Sequence, residues 1–292
     1  MKPAPFDYYA PETLEEAIAL LVRFEEEGLE ARIIAGGQSL MPMLSLRVAR
    51  PEVLVDLRRI GGLDHIRDEG ATIAIGAMAS KRAAEDSPLV RERQPLFHAA
   101  TLNVGHRAIR AQGSVGGSFA NADPASEYPA TAIALDMQLK AVGPDGERLI
   151  AARDFFVTYL TTDLASTEIL TEVRMPVLAP GTGWSFYEVS RRKGDFAMAG
   201  CAVLLTLGGG RISSARIVVF GVNATAVQLA AAEQVVLGQV PDPVLFGQAG
   251  SAGAAEVEEP IADVHASADF RRNLVSVVVE RGLAQALARA TP

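Results

Sequence analysis

Two short segments carry residue types that bind anions through the backbone: Ala35-Gly36-Gly37-Gln38-Ser39-Leu40 and Gly113-Ser114-Val115-Gly116-Gly117-Ser118. With no Cβ in the way, successive N–H groups converge on one anion, and a serine hydroxyl adds a further donor. Such a nest suits a diphosphate. Two of them, far apart in the chain, are expected to hold one dinucleotide from two sides without Lys or Arg at the phosphates. The same glycines also fit a plainer reading, tight turns where backbone passes close to backbone, and the sequence leaves both open. The chain has no G-x-G-x-x-G opening a helix, no G-x-x-x-x-G-K-[ST] and no G-x-S-x-G, so a Rossmann site, a P-loop and a nucleophile elbow lack support. After the second segment, Asp123 before Pro124 reads as an N-cap that aims a helix N-terminus at the same place. Glu127, one turn on, offers a carboxylate either to sugar or ribityl hydroxyls or to the helix dipole.

Such loops need rigid elements behind them. Thr13 to Gly28 is the clearest helix: Thr13 and Glu16 form a capping box, Leu14, Ala17, Ile18, Leu21 and Val22 share a face, and Gly28 follows its end. A β-prone run, Ala31 to Ala35, leads into the first glycine pair, and Val53 to Leu57 and Thr72 to Gly76 read as further strands. A helix is expected over Leu89 to Ala100, kinked or reset at Pro95, and another from Pro129 to Leu135. Met137 to Val142 and Leu149 to Ala152 flank Gly143-Pro144-Asp145-Gly146, which has the turn chemistry of a β-hairpin, and Glu168 to Met175 follows as a strand. Pro176 to Gly183 reads as a linker. Beyond it, strands over Ser185 to Ser190, Cys201 to Leu207 and Ile212 to Val222, then three helical patterns, form a smaller α+β domain.

Composition narrows the function. The 292 residues carry 27 Lys plus Arg against 35 Asp plus Glu, a net charge of −8, with 49% hydrophobic and 21% charged residues. That is too apolar for disorder. It is also the wrong field for nucleic acid, since no basic stripe interleaves with aromatics. No apolar run approaches the ~20 residues that span a bilayer, and the N-terminal stretch lacks a signal-peptide core, so a cytoplasmic protein is expected. Cys201 is the single cysteine, which rules out an internal disulfide or an iron–sulfur cluster held by the chain's own thiolates. Inside an apolar strand it reads as a buried small residue rather than a redox thiol. His65, His98, His106 and His265 are too dispersed for a metal pair, and no resident metal is expected.

Three motifs in order, AGGQSLMPML at 35–44, IRAQGSVGGSFANADPASE at 109–127 and FYEVSRRKGDFAMAG at 186–200, together resemble the FAD-binding medium subunit of the molybdenum hydroxylases. This is the xanthine dehydrogenase and carbon monoxide dehydrogenase flavoprotein family, and the resemblance covers essentially the whole chain. It implies an α+β fold. A two-lobed FAD-binding domain of the vanillyl-alcohol-oxidase (PCMH) type would occupy 1–176, with lobes at about 1–57 and 58–176. A smaller C-terminal domain with a three-stranded antiparallel sheet and helices would occupy 177–292. Carried over position by position, Ile34, Ala35, Gly36, Gly37, Gln38, Ser39 and Leu40 form the first diphosphate loop, and Ser114, Val115, Gly116, Gly117 and Ser118 the second. Asn121 and Glu127 follow as FAD contacts, and Ile169 and Leu170 as the strand beside the adenine or the ring system. Tyr187 stands where many relatives keep a Lys; it either meets the flavin ring or packs as an ordinary strand residue. Arg191, Arg192, Lys193 and Asp195 form a charged turn that the resemblance places near the flavin and the partner subunits, in a positioning role.

The resemblance further implies a non-covalent FAD, since neither loop contains His or Cys. It implies no catalytic side chain on this polypeptide, molybdenum chemistry on a large partner and two two-iron two-sulfur clusters on a small one. Electrons would reach FAD here and leave to NAD, a quinone or another acceptor, in a dimer of heterotrimers. A stand-alone FAD oxidoreductase and a scaffold that has lost its flavin are the competing readings.

Overall fold

A computed structural model describes residues 2–291. Its first helix, Leu14–Glu26, starts where Thr13 accepts the Glu16 N–H at 3.1 Å, while the Glu16 carboxylate turns back to the N–H of Glu12 at 2.9 Å. Ala17, Leu21 and Phe24 are buried, and Gly28 takes φ +70° where the chain leaves the helix. The helix backs a three-stranded parallel sheet in the order Asp7–Tyr9, Val53–Asp56, Ala31–Ile34. Its middle strand is buried at every position, as the unbroken run Val53-Leu54-Val55 requires of a central parallel strand.

A second, antiparallel sheet runs in the order Ile66–Asp68, Thr72–Gly76, Ile169–Pro176, Gln138–Gly143, Gly146–Ala151. Its hairpin closes at Gly143 paired with Gly146, around Pro144 and Asp145 as the sequence predicts. Between Gly76 and Gln138 the chain is helical. The single helix expected near Pro95 is two, Pro88–Arg93 and Pro95–Asn103, each with proline at its start, because a proline without N–H fits the first turn and breaks an interior one. Asp123 is not an N-cap: Ala122 enters the left-handed region at φ +46°, the Asp123 carboxylate accepts the Ala125 N–H at 2.9 Å over a turn, and the helix Glu127–Ala134 begins after Ser126. Tyr128 from that helix is fully buried between Phe97 and Phe119, at centroid distances of 4.7 and 5.3 Å.

The C-terminal sheet runs in the order Gly183–Ser190, Ala197–Gly208, Arg211–Phe220, Val227–Gln228. The expected three antiparallel strands are therefore joined by a two-residue fourth. Ala230–Val236, Pro243–Glu256 and Ala268–Leu287 supply the helices, with the last of them packed on the sheet. A Cβ on Gly183 would overlap the Ala286 carbonyl, and one on Gly282 would lie 2.7 Å from Cys201 Sγ. On the sheet's other side, Phe186, Ala202, Val218 and Phe220 join the same core as Phe97 and Tyr128. Among the described residues no helix is long and apolar enough to cross a membrane.

The Gly183 contact leaves no room for relaxation, because the opposing atom is backbone. Gly183→Val is expected to destabilise the full chain by about 3 kcal/mol, the upper range for overpacking a closed interface, whereas Gly247→Ala, where nothing lies near the added carbon, leaves thermal unfolding nearly unchanged.

Candidate functional site

The two glycine segments meet. A Cβ on Gly36 would overlap the Gln112 carbonyl oxygen and lie 2.7 Å from Gly113 Cα and 2.8 Å from Ser114 N; one on Gly117 would lie 3.4 Å from the Ala35 methyl. Gly116 is pressed in the same way against Ala77, at 2.6 Å from its Cα. The plainer reading of the glycines, close backbone approach, therefore holds at Gly36 and Gly116.

The two segments differ as anion binders. In the first, the N–H groups of Gly36, Gly37, Gln38, Ser39 and Leu40 donate to no protein acceptor among the described residues. In the second, the donors are largely spent: Val115 N–H reaches Ala79 O at 2.8 Å, Gly116 N–H reaches Ala77 O at 2.9 Å and Gly117 N–H reaches Ser114 Oγ at 3.1 Å. Ser114 is the N-cap of a helix, Val115–Asn121, that glycine propensity alone would not announce.

A cavity of about 500 Å³ lies between them. Of the residues singled out from sequence, Ile34 to Leu40, Ser114, Gly116, Gly117, Ser118, Asn121, Ile169 and Leu170 line it. Val115 is fully buried in the core behind the loop, and Glu127 is buried but does not reach the lining. Tyr187 lies elsewhere, packed on the C-terminal core with its hydroxyl accepting from Arg281 Nη1 at 2.5 Å. Sequence reasoning missed Ala77, Met78 and Lys81 and the 164–168 segment, which complete the walls. Lys81 comes from a helix, Lys81–Asp86, whose N-cap Ser80 bridges to Ser114; the only signal for it was the Ser-Lys pair itself, with no glycine nearby.

The turn at 191–195 is held by Arg191 and Arg192 on the Asp195 carboxylate, at 3.1 and 3.5 Å. Gly194, at φ +80°, sits against Gly105 of the N-terminal domain, 2.8 Å from its carbonyl measured from the added Cβ. Cys201 is buried, its thiol pushed up to about 12 by burial, and it donates to Val278 O at 3.0 Å. It is a packing residue.

Behind the loops lies a group of buried charges. Burial pushes Lys81 below the ordinary lysine value, against the opposing pull of Glu127. Burial raises Glu127 to about 7 and, together with Glu127's charge, raises Glu188 to about 8. Asp123 is raised by burial as well. Glu188 Oε2 has no hydrogen-bond partner. The walls themselves are mostly backbone and apolar, with five successive free N–H donors from Gly36 to Leu40 and neither His nor Cys lining them; they suit a dinucleotide with a diphosphate in its middle, held without a covalent bond.

Comparison with known proteins fits this geometry. Residues 4–178 match the family described as FAD binding domain in molybdopterin dehydrogenase, and residues 184–286 match the CO dehydrogenase flavoprotein C-terminal domain. The chain belongs to this flavoprotein family. It is the FAD-carrying, electron-transferring subunit of a multi-subunit oxidoreductase of the molybdenum hydroxylase type. This flavoprotein is 39% identical to the 6-hydroxypseudooxynicotine dehydrogenase complex subunit alpha of Paenarthrobacter nicotinovorans, covering 100% of this chain and 98% of that one. It is 37% identical to the carbon monoxide dehydrogenase medium chain of Hydrogenophaga pseudoflava, covering 99% of each. The solved carbon monoxide dehydrogenase of that organism, lacking the Mo-pyranopterin moiety of its cofactor, superposes with a TM-score of 0.95 over 100% of both chains. The expected fold, a PCMH-type FAD domain followed by a smaller α+β domain, is the one observed.

Glu188 gives a pH signature. Its carboxyl rises from 4.5 to about 8 on folding, so the folded state holds a proton that the unfolded chain releases, and stability is lost as pH climbs through that interval. In thermal melts of the full chain, Glu188→Gln is expected to match its parent below the lower value and to melt progressively higher than it up to the upper one.

Proposed function

We propose that FAD lies extended in the cavity with its diphosphate at the crossing of the two glycine segments. The observation that carries this reading is the run of five unpaired N–H groups from Gly36 to Leu40, facing the serine-capped helix start at Ser114. Ile34 and Leu40 flank those donors, Ser118 and Asn121 supply polar atoms from the opposite wall, and Ile169 and Leu170 give an apolar floor from the strand Ile169–Pro176. Val115 fixes the second loop from behind; Glu127, buried beneath that loop, and Tyr187, packed in the C-terminal domain, do not line the cavity and are left out of the cofactor contacts. The cofactor supplies the redox centre. The protein binds it, orients it and excludes water; no side chain acts as a nucleophile or a general base.

We assign the FAD domain to 1–176, with lobes meeting near residue 57, and the C-terminal domain to 177–292; the two matched families, at 4–178 and 184–286, support a division close to that boundary. With one cysteine, the chain cannot build iron–sulfur clusters. They belong to a small partner subunit, and the molybdenum cofactor to a large one. The relative named a medium chain supports this arrangement. The complex is a dimer of such heterotrimers in the cytoplasm, and electrons arriving from the clusters leave FAD for NAD, a quinone or another acceptor.

Gly36→Val and Gly117→Val each drive a side chain into the opposing loop and are expected to lower the flavin content of the purified chain by at least about tenfold, a loss of ~1.4 kcal/mol or more in binding. Visible absorbance checks this, and acid precipitation of the parent should release its yellow chromophore into the supernatant. Unchanged flavin stoichiometry in both variants refutes the placement.

A further inference from the structure

We infer that Lys81 is a cationic anchor for the diphosphate, its ammonium standing at the crossing of the two glycine segments and pairing with the phosphate charge. The inference rests on the placement of FAD proposed above. Three observations locate the group. The Lys81 backbone is tied to the second segment, its N–H donating to Gly113 O at 2.8 Å, and its neighbour Ser80 bridges to Ser114. From the point where a Cβ on Gly113 would stand, Lys81 Nζ is 3.3 Å away and Gln38 Cγ of the first segment 3.5 Å, so the ammonium lies between the two loops. Lys81 also lines the cavity although only 7% of its surface is exposed.

The charge inventory of the cavity points the same way. The other charged residues on its walls have protein partners: Arg32 holds Glu30 at 3.1 Å, Glu168 holds Arg148 at 2.7 Å and Glu25 accepts from Ser166. Lys81 Nζ makes no hydrogen bond or ion pair among the described residues, and Glu127 acts on it through its charge alone, without a hydrogen bond. A cation–π contact with the Tyr128 ring, at 5.8 Å from its centroid, is its nearest compensation. An ammonium buried without a counter-charge weakens the fold that contains it. A ligand bearing negative charge at that spot removes the penalty, and backbone N–H groups alone do not supply a full positive charge.

The test uses the flavin-depleted full-length chain. Lys81→Met keeps the length and apolar stem of the side chain without its charge; Lys81→Arg keeps the charge. The affinity for FAD is expected to fall by at least about tenfold in Lys81→Met and to stay within about threefold in Lys81→Arg. In competition against FAD, ADP should lose potency in Lys81→Met by the same factor, while riboflavin, which has no phosphate, keeps its own. The flavin-free Lys81→Met chain should melt at the same temperature as its parent or higher, a sign that a merely structural lysine would not give. Unchanged FAD and ADP affinity in Lys81→Met overturns the inference, as does a loss of affinity shared equally by riboflavin or accompanied by a lower melting temperature. If Lys81→Met does not fold, Lys81→Gln is read in its place, and failure of both to fold assigns the lysine to the core and also overturns it. Gly117→Val separates the two proposals: if it releases FAD while Lys81→Met does not, the site stands and the anchor falls; if neither releases FAD, the site itself is misplaced.

Discussion

Everything at the site depends on one contact between main chains. Gly36, leaving the parallel sheet of the first lobe, lies against Gln112, Gly113 and Ser114 of the second so closely that no side-chain carbon fits between them. That contact joins lobes whose sheets share no hydrogen bond, and it sets the width of the cavity. A larger residue at either side would widen the crossing and displace the unpaired donors of Gly36 to Leu40. The glycines thus serve packing first: the missing Cβ permits the approach of the two main chains.

Around this crossing the molecule holds ionisable groups away from water. Asp123, Glu127 and Glu188 are carboxyls that burial holds toward their protonated forms, while Lys81 is the opposing cation. The low-dielectric surroundings that make these groups costly also make each of them effective on a neighbour.

Local chemistry made much of this visible in the sequence. The helix Leu14–Glu26, the strand Ala31–Ile34 and the hairpin around Pro144 and Asp145 follow from capping, alternation and turn residues. The glycine segments stood out in the sequence and do come together in the fold, and the family motifs extended the reading to the whole chain. What stayed hidden is tertiary. The helix Val115–Asn121 is built on two glycines that disfavour helix, and it forms because Gly116 must meet Ala77. Asp123 looked like a cap until the left-handed turn at Ala122 moved the helix start beyond it. Lys81 lies far from both loops in sequence, so its place beside them emerges only after the Ser80–Ser114 bridge forms. The three-residue strand Asp7–Tyr9 is too short for any periodic pattern.

The seam between the two domains is not a hinge. Phe186 and Phe220, stacked at 5.5 Å on the C-terminal sheet, belong to the same apolar cluster as Phe97 and Tyr128, and the connecting segment is itself tied down, Val177 N–H to Ala71 O and Leu178 N–H to Arg93 O, each at 2.9 Å. The halves therefore melt as one cooperative unit, and a shortened gene product ending at the seam would present an uncovered aromatic face to its neighbours and aggregate. Genetic rearrangement can shuffle this polypeptide among complexes as a whole; it cannot trade one half for another without rebuilding that shared face.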